Sequence, residues 1–214
     1  MPFADALTTL ADLRSIYREP SRPSLAKQID HLDEHCRDFI GRSPFALLAT
    51  SDGAGRVDVS PRGGNPGFVR VLDDHRLALP DMAGNNRLDS LGNLVDNPGV
   101  GLFFCIPGLD EGLRVNGRAT ITTDPGVLDA CVDGDIRPRV AIGIDVDEVF
   151  IHCAKAMRRG RLWHPDAWPD LSDMPSVACI LADHYEIPEL DVAAVEARLA
   201  DSYERTIWMV GGEV

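Results

Sequence analysis

A short apolar run, Leu77-Ala78-Leu79, leads into Pro80-Asp81, and Gly84-Asn85-Asn86-Arg87 follows before leucines recur at helical spacing. These residue types at a strand-to-helix junction can hold an anion. The first N–H groups of a helix have no intrahelical partner and carry partial positive charge. Asn85 or Asn86 would cap the helix. Gly84 would let backbone approach a ligand closely, and Arg87 would add a charged fork suited to phosphate. Together they form a candidate phosphate cradle. A capped helix beside a solvated arginine would use the same residues.

Other clusters could contribute. Lys155, Arg158, Arg159 and Arg161 lie in KAMRRGRLW without an acid, although the chain as a whole carries a net charge of -13. They could neutralise a polyanion, with Trp163 adding an aromatic face, or form a basic face or subunit contact. Arg62 ends VDVSPR before two glycines, at the rim of an expected barrel. His31 and His35 are spaced i, i+4, as in a zinc pair, but Leu32 stands where the metalloprotease pattern needs Glu and no third ligand is evident, so no metal is assigned. His152 and Cys153 are adjacent and would point to opposite faces of a strand. The chain has no nucleophile elbow, P-loop or GxGxxG after a strand. Any redox chemistry would therefore rest on a cofactor, and no catalytic residue is assigned.

The elements that must position these residues follow from hydrophobic period. Leu25, Ile29, Leu32, Cys36 and Phe39 predict a helix over 24–41, capped by Ser24. From residue 45 the period changes. FALLATS, RVDVSPR, GFVRVLD, RLALPD, GVGLFFCIPG, GLRVNGRATITTD and RVAIGIDVDEVFIHC are short apolar or alternating runs with turn signals between most of them. Seven such runs predict an antiparallel barrel, hence a mainly β, α+β fold. A helix over 86–96, with Leu88, Leu91 and Val95 inward, interrupts the series. Asp124-Pro125 starts another helix, and a last one covers 191–206.

A chain of 214 residues predicts one domain: an N-terminal helical extension (1–43), a barrel core (44–153) and a C-terminal extension (154–214). The acidic balance argues against nucleic acid or an anionic membrane as partner, and no apolar run is long enough to span a bilayer. Five scattered cysteines without CxxC, and an N-terminus unlike a signal peptide, predict a cytoplasmic protein with reduced thiols.

From about residue 28 to 168 the chain resembles the pyridoxamine 5'-phosphate oxidase-related family of FMN-binding split β-barrels, in its bacterial branch with long terminal extensions. The resemblance is carried by HLDEHCRDFIGRSPFALLATS, VDVSPRGGNPGFVRVLD, LPDMAGNNRLDSLGNLVDNPGVGLFF, IPGLDEGLRVNGRATIT and HCAKAMRRGRLW. It implies a homodimer of six-stranded split barrels with FMN in clefts at the subunit interface. By resemblance, Arg62, Asn85, Asn86, Arg87 and Ser90 would lie at the phosphate. Phe68, Val69, Leu79, Pro80 and Asp81 would lie near the flavin. Leu113, Arg114, Lys155 and Trp163 would come from the second subunit, with Lys155 or Arg114 beside the N1–C2=O edge.

Related chains often carry Arg where Met82 stands, an acid where Gly64 stands, and Thr and Ser where Gly112 and Gly160 stand. Each lost donor lowers the expected FMN affinity several-fold. The resemblance implies an FMN-dependent oxidoreductase of unassigned substrate, with NAD(P)H a candidate donor. The rival readings are a non-catalytic flavin carrier or sensor, and a deazaflavin-dependent reductase using the 155–161 cluster for the cofactor tail.

Overall fold

The structure, a computed structural model, describes residues 3–212. Seven strands form one sheet: β1 (Phe45–Ser51), β2 (Val57–Gly63), β3 (Arg70–Val71), β4 (Arg76–Pro80), β5 (Gly99–Cys105), β6 (Gly112–Thr122) and β7 (Ala141–His152). Their spatial order is β2-β1-β5-β6-β7-β4-β3, and every pairing is antiparallel. The seven apolar runs of the sequence correspond to these seven strands. The seventh beyond the six expected of a split barrel is β3, a two-residue edge piece.

Alternation along β1 buries Ala46, Leu48 and Thr50, and pairing carries that face across the sheet to Leu102, Phe104, Leu113 and Val115. The long β6–β7 pair has a register shift at Asn116/Gly117. Gly117 is required there because a Cβ would overlap the Asp145 carbonyl. The core lies under this face, closed by Leu32, Cys36, Phe39 and Ile40 from one end and Leu94 from the other.

Helices fill the remainder: α1 (Leu10–Ile16), α2 (Arg22–Ala26), α3 (Glu34–Arg42), α4 (Asp89–Asp96), α5 (Pro125–Ala130), α6 (Lys155–Gly160), α7 (Val177–Tyr185) and α8 (Val192–Arg205). The helix expected over 24–41 is two helices. Residues 27–33 instead run beside β7, where Ile29 pairs with Val149 in both backbone directions and Lys27 Nζ donates to the Ile151 carbonyl at 2.8 Å. Sheet hydrogen bonds outweigh helical periodicity there. Asp33, not Ser24, caps the half that reaches the core, accepting from Cys36 N at 2.8 Å. His31 and His35 therefore do not share a helix face; His31 pairs with Asp30 and His35 with Glu34.

The helices at Asp124-Pro125 and near 191–206 form, with Asp124 and Asp191 as caps. Helix α4 starts at Asp89, and its inner face is Ser90 and Leu94 with Leu91 packed partly buried against the core, as expected; Leu88 and Val95 are exposed. No helix among the described residues is long and apolar enough to cross a membrane.

Candidate functional site

Strand β2 has two unlike faces. Val57, Val59 and Pro61 point outward; Asp58, Ser60 and Arg62 point to the core side, opposite Thr50, Leu48 and Ala46 of β1. Helix α4 lies over this polar row because three side chains hold it there. Ser90 Oγ donates to Asp58 Oδ2 at 2.5 Å, Asn93 Nδ2 to Thr50 Oγ1 at 3.0 Å, and Asn97 Nδ2 to Ser51 Oγ at 3.0 Å. Ser90 is buried at the start of the helix.

The loop into α4 departs from a plain cap. Asn86 and Leu88 are left-handed, with φ of 57° and 60°, and Leu88 occupies the N-cap without a side-chain bond. Asn85 is not the cap either: its Oδ1 accepts from Arg87 N at 3.0 Å and shapes the turn before the helix. Left-handed leucine is a costly conformation.

Carboxylates already meet the cationic and hydroxyl donors. Arg87 Nε donates to Asp89 Oδ2 at 2.7 Å, and the charge of Asp58 also acts on Arg87. Arg62 Nη1 donates to Asp81 Oδ1 at 3.3 Å, both side chains being largely buried, while Arg62 Nε is buried without an acceptor. Burial pushes the Asp81 carboxyl above its ordinary value, and Arg62 only partly offsets this. Asp58 and Asp89 are the acids at the candidate site that the sequence reading did not single out. The i, i+2, i+4 spacing of Asp58, Ser60 and Arg62 was the available signal for Asp58.

The other expected site residues lie elsewhere. Phe68, Val69, Leu79, Pro80 and Leu113 are buried, and Phe68 and Pro80 line a narrow cavity with Gly64 and Met82. Arg114 is on the opposite face of the sheet, aligned with Phe103 and Phe150. It pairs with Glu148 and stacks 4.0 Å from the centre of the Phe150 ring, which Lys27 covers at 4.7 Å. Lys155 is exposed at the start of α6. Trp163 Nε1 donates to the Leu109 carbonyl at 2.9 Å, beside an Arg158–Asp110 pair. One protomer thus brings Arg62, Asp81, Arg87 and Ser90 to the β2–α4 side and leaves Arg114 on the other side.

The departures from the related chains have a steric side. A Cβ at Gly64 would lie 2.7 Å from Phe68 Cβ, and one at Gly112 would overlap the Phe103 ring. Gly160 has open space around it.

A family model described as pyridoxamine 5'-phosphate oxidase matches residues 32–153, more than half of the chain. The chain belongs to this family. The matched span runs from the approach to α3 through β7, and so contains the whole sheet, α4 and the β2–α4 junction. No curated protein matches the chain. Among solved structures, it is similar to HupZ of Group A Streptococcus at 23% identity, covering 56% of this chain and 92% of that one, with a TM-score of 0.46. It is also similar to a candidate pyridoxamine 5'-phosphate oxidase of Lactobacillus delbrueckii at 21% identity, covering 57% and 95%, with a TM-score of 0.44. A third is the general stress protein 26 of Bacillus anthracis, at 15% identity, 53% and 88% coverage and a TM-score of 0.40.

Proposed function

We propose that this member of the pyridoxamine 5'-phosphate oxidase family binds FMN and acts as a flavin-dependent oxidoreductase. The observation that carries the reading is Arg62. Its Nε is buried without an acceptor, on the same face of β2 that meets Ser90 at the start of α4. A buried donor of this kind is stabilised when an anion supplies the acceptor. The donor set fits a phosphate monoester: Arg62, the Ser90 hydroxyl and the Arg87 fork.

FMN, when bound, supplies hydride acceptance and delivery. The chain supplies binding and orientation. Arg62, Ser90 and Arg87 hold the phosphate once Asp81, Asp58 and Asp89 yield their bonds. Pro80 and Leu79, fixed in the core, present rigid backbone beside it.

We further propose that the working unit is a homodimer, with Arg114, Lys155 and Trp163 contributed from the second copy. Arg62 and Arg114 are on opposite faces of one sheet, so both can serve one ligand only if two chains meet. The outer face offers apolar area for that contact: Val57 and Val59 are 79% and 60% exposed, with Phe45 exposed further along the same face. Arg114 Nε is likewise buried without an acceptor.

The test is the visible absorbance spectrum of the protein as purified, and again after FMN addition and desalting. Retention near one FMN per chain is the expected result, followed by anaerobic bleaching with NAD(P)H and turnover on an added acceptor. Protein that stays colourless after FMN addition sinks the reading. Retained FMN that no donor reduces favours a carrier, and consumption of reduced deazaflavin favours the deazaflavin reductase.

A further inference from the structure

The segment after α8 returns to the candidate site. Met82 and Val210 form an antiparallel bridge, Ala83 N donates to the Met209 carbonyl at 2.9 Å, and Gly211 N donates to the Asp81 carbonyl at 3.2 Å. Val210 is buried, and Arg139 Nη1 donates to the Gly212 carbonyl at 3.2 Å. Residues 209–212 thus extend the chain edge just beyond β4. Trp208, immediately before them, closes a narrow cavity of about 20 Å³ lined also by Gly64, Phe68 and Met82.

The contact with Asp81 is specific. Gly211 packs so closely that a Cβ there would overlap Asp81 Oδ2, although its backbone is not in the left-handed region. The other carboxylate oxygen, Oδ1, accepts from Arg62. Asp81 is therefore held from two sides, by the docked segment and by the arginine.

We propose that residues 206–212 are an autoinhibitory clasp. Docked, the segment keeps the Asp81 carboxylate on Arg62 and withholds that guanidinium from an anionic ligand; released, it lets Asp81 swing away and Arg62 turn to the anion. The proposal rests on the reading of Arg62 as a phosphate donor. A clasp docked most of the time lowers the apparent affinity by the fraction of open molecules.

Two variants of the full chain test it. Gly211→Val forces a side chain into the Asp81 carboxylate and should undock the segment, seen as faster hydrogen exchange in peptides covering 81–83 and 206–212. Asp81→Asn leaves the backbone bonds in place but removes the charge that competes for Arg62. FMN and inorganic phosphate are titrated into wild type and both variants. Both variants should bind FMN about 5-fold or more tightly than wild type, a coupling of ordinary size.

If Gly211→Val opens the segment yet binds FMN no more tightly, or if Asp81→Asn gains nothing, the clasp is wrong even though wild type holds FMN. Unchanged exchange in Gly211→Val also overturns it. If wild type and both variants bind neither FMN nor phosphate, the reading of Arg62 falls together with the clasp. If Gly211→Val does not fold, Asp81→Asn decides alone.

Discussion

Ser90 Oγ donates to Asp58 Oδ2 at 2.5 Å, tying the first turn of α4 to the polar row of β2 across 32 residues of chain. The bond fixes the helix start, and it also sets a negative charge where the proposed phosphate needs a donor. Two substitutions separate these effects. Ser90→Ala should cost about 1 kcal/mol of stability and weaken FMN binding. Asp58→Asn keeps an acceptor but removes charge, so FMN affinity should rise several-fold. Denaturant melts and flavin fluorescence titrations check both; weaker binding in Asp58→Asn would show that Asp58 orients Ser90 for the ligand.

The outer face predicts a subunit contact. Val59→Asp or Phe103→Asp puts charge into a face that carries Val57, Phe45 and the Phe150 stack. Desolvating an unpaired carboxylate at such a contact is costly. Light scattering should show wild-type dimers and variant monomers, and the monomers should lose FMN because Arg114 can no longer share a ligand with Arg62. Monomeric wild-type protein that holds FMN would refute the shared site.

Asp81 and Asp52 should tilt stability in opposite directions with pH. Burial raises the Asp81 carboxyl above 3.8, so its contribution is present below that value and lost as pH rises through the folded pKa. Asp52 is held below 3.8 by bonds from the Arg56 side chain, then from the Arg56 and Ala54 backbone. Its contribution is present above 3.8 and lost as pH falls through the folded pKa. Relative to wild type, Asp81→Asn should gain stability as pH rises, whereas Asp52→Asn should be less stable at neutral pH and converge with wild type in acid. Urea melts from about pH 3 to 7 check the signs.

The cysteines should divide by burial. Burial and then Asp33 push the Cys36 thiol up to about 12, and burial raises Cys105 and Cys131 as well. Thiolate is the reactive form, and Cys153 is exposed. A chromogenic disulfide reagent at mildly alkaline pH should label Cys153 first and Cys36, Cys105 and Cys131 only on unfolding. Mass spectrometry of the labelled peptides would reveal any other order.

Local rules reach only a few residues along the chain, and what they could decide, they decided. Alternation in FALLATS and the later runs specified seven strands, since a two-residue period matches only a pleated surface with one face buried. Asp124-Pro125 specified a helix start, because a cap bonds within three residues. Ordered motifs from 28 to 168 pointed to the family. The same rules misjudged residues 27–33, where pairing with Val149 overrode a helical pattern. They also misjudged Asn85, whose bond to Arg87 N forms a turn before the helix. The tertiary structure alone decided the partners: Asp58 for Ser90, Asp81 for Arg62, and Gly211 against Asp81, 130 residues later in the chain. It alone put Arg62 and Arg114 on opposite faces, because the face of each residue depends on strand register, and a shift of one residue would reverse it.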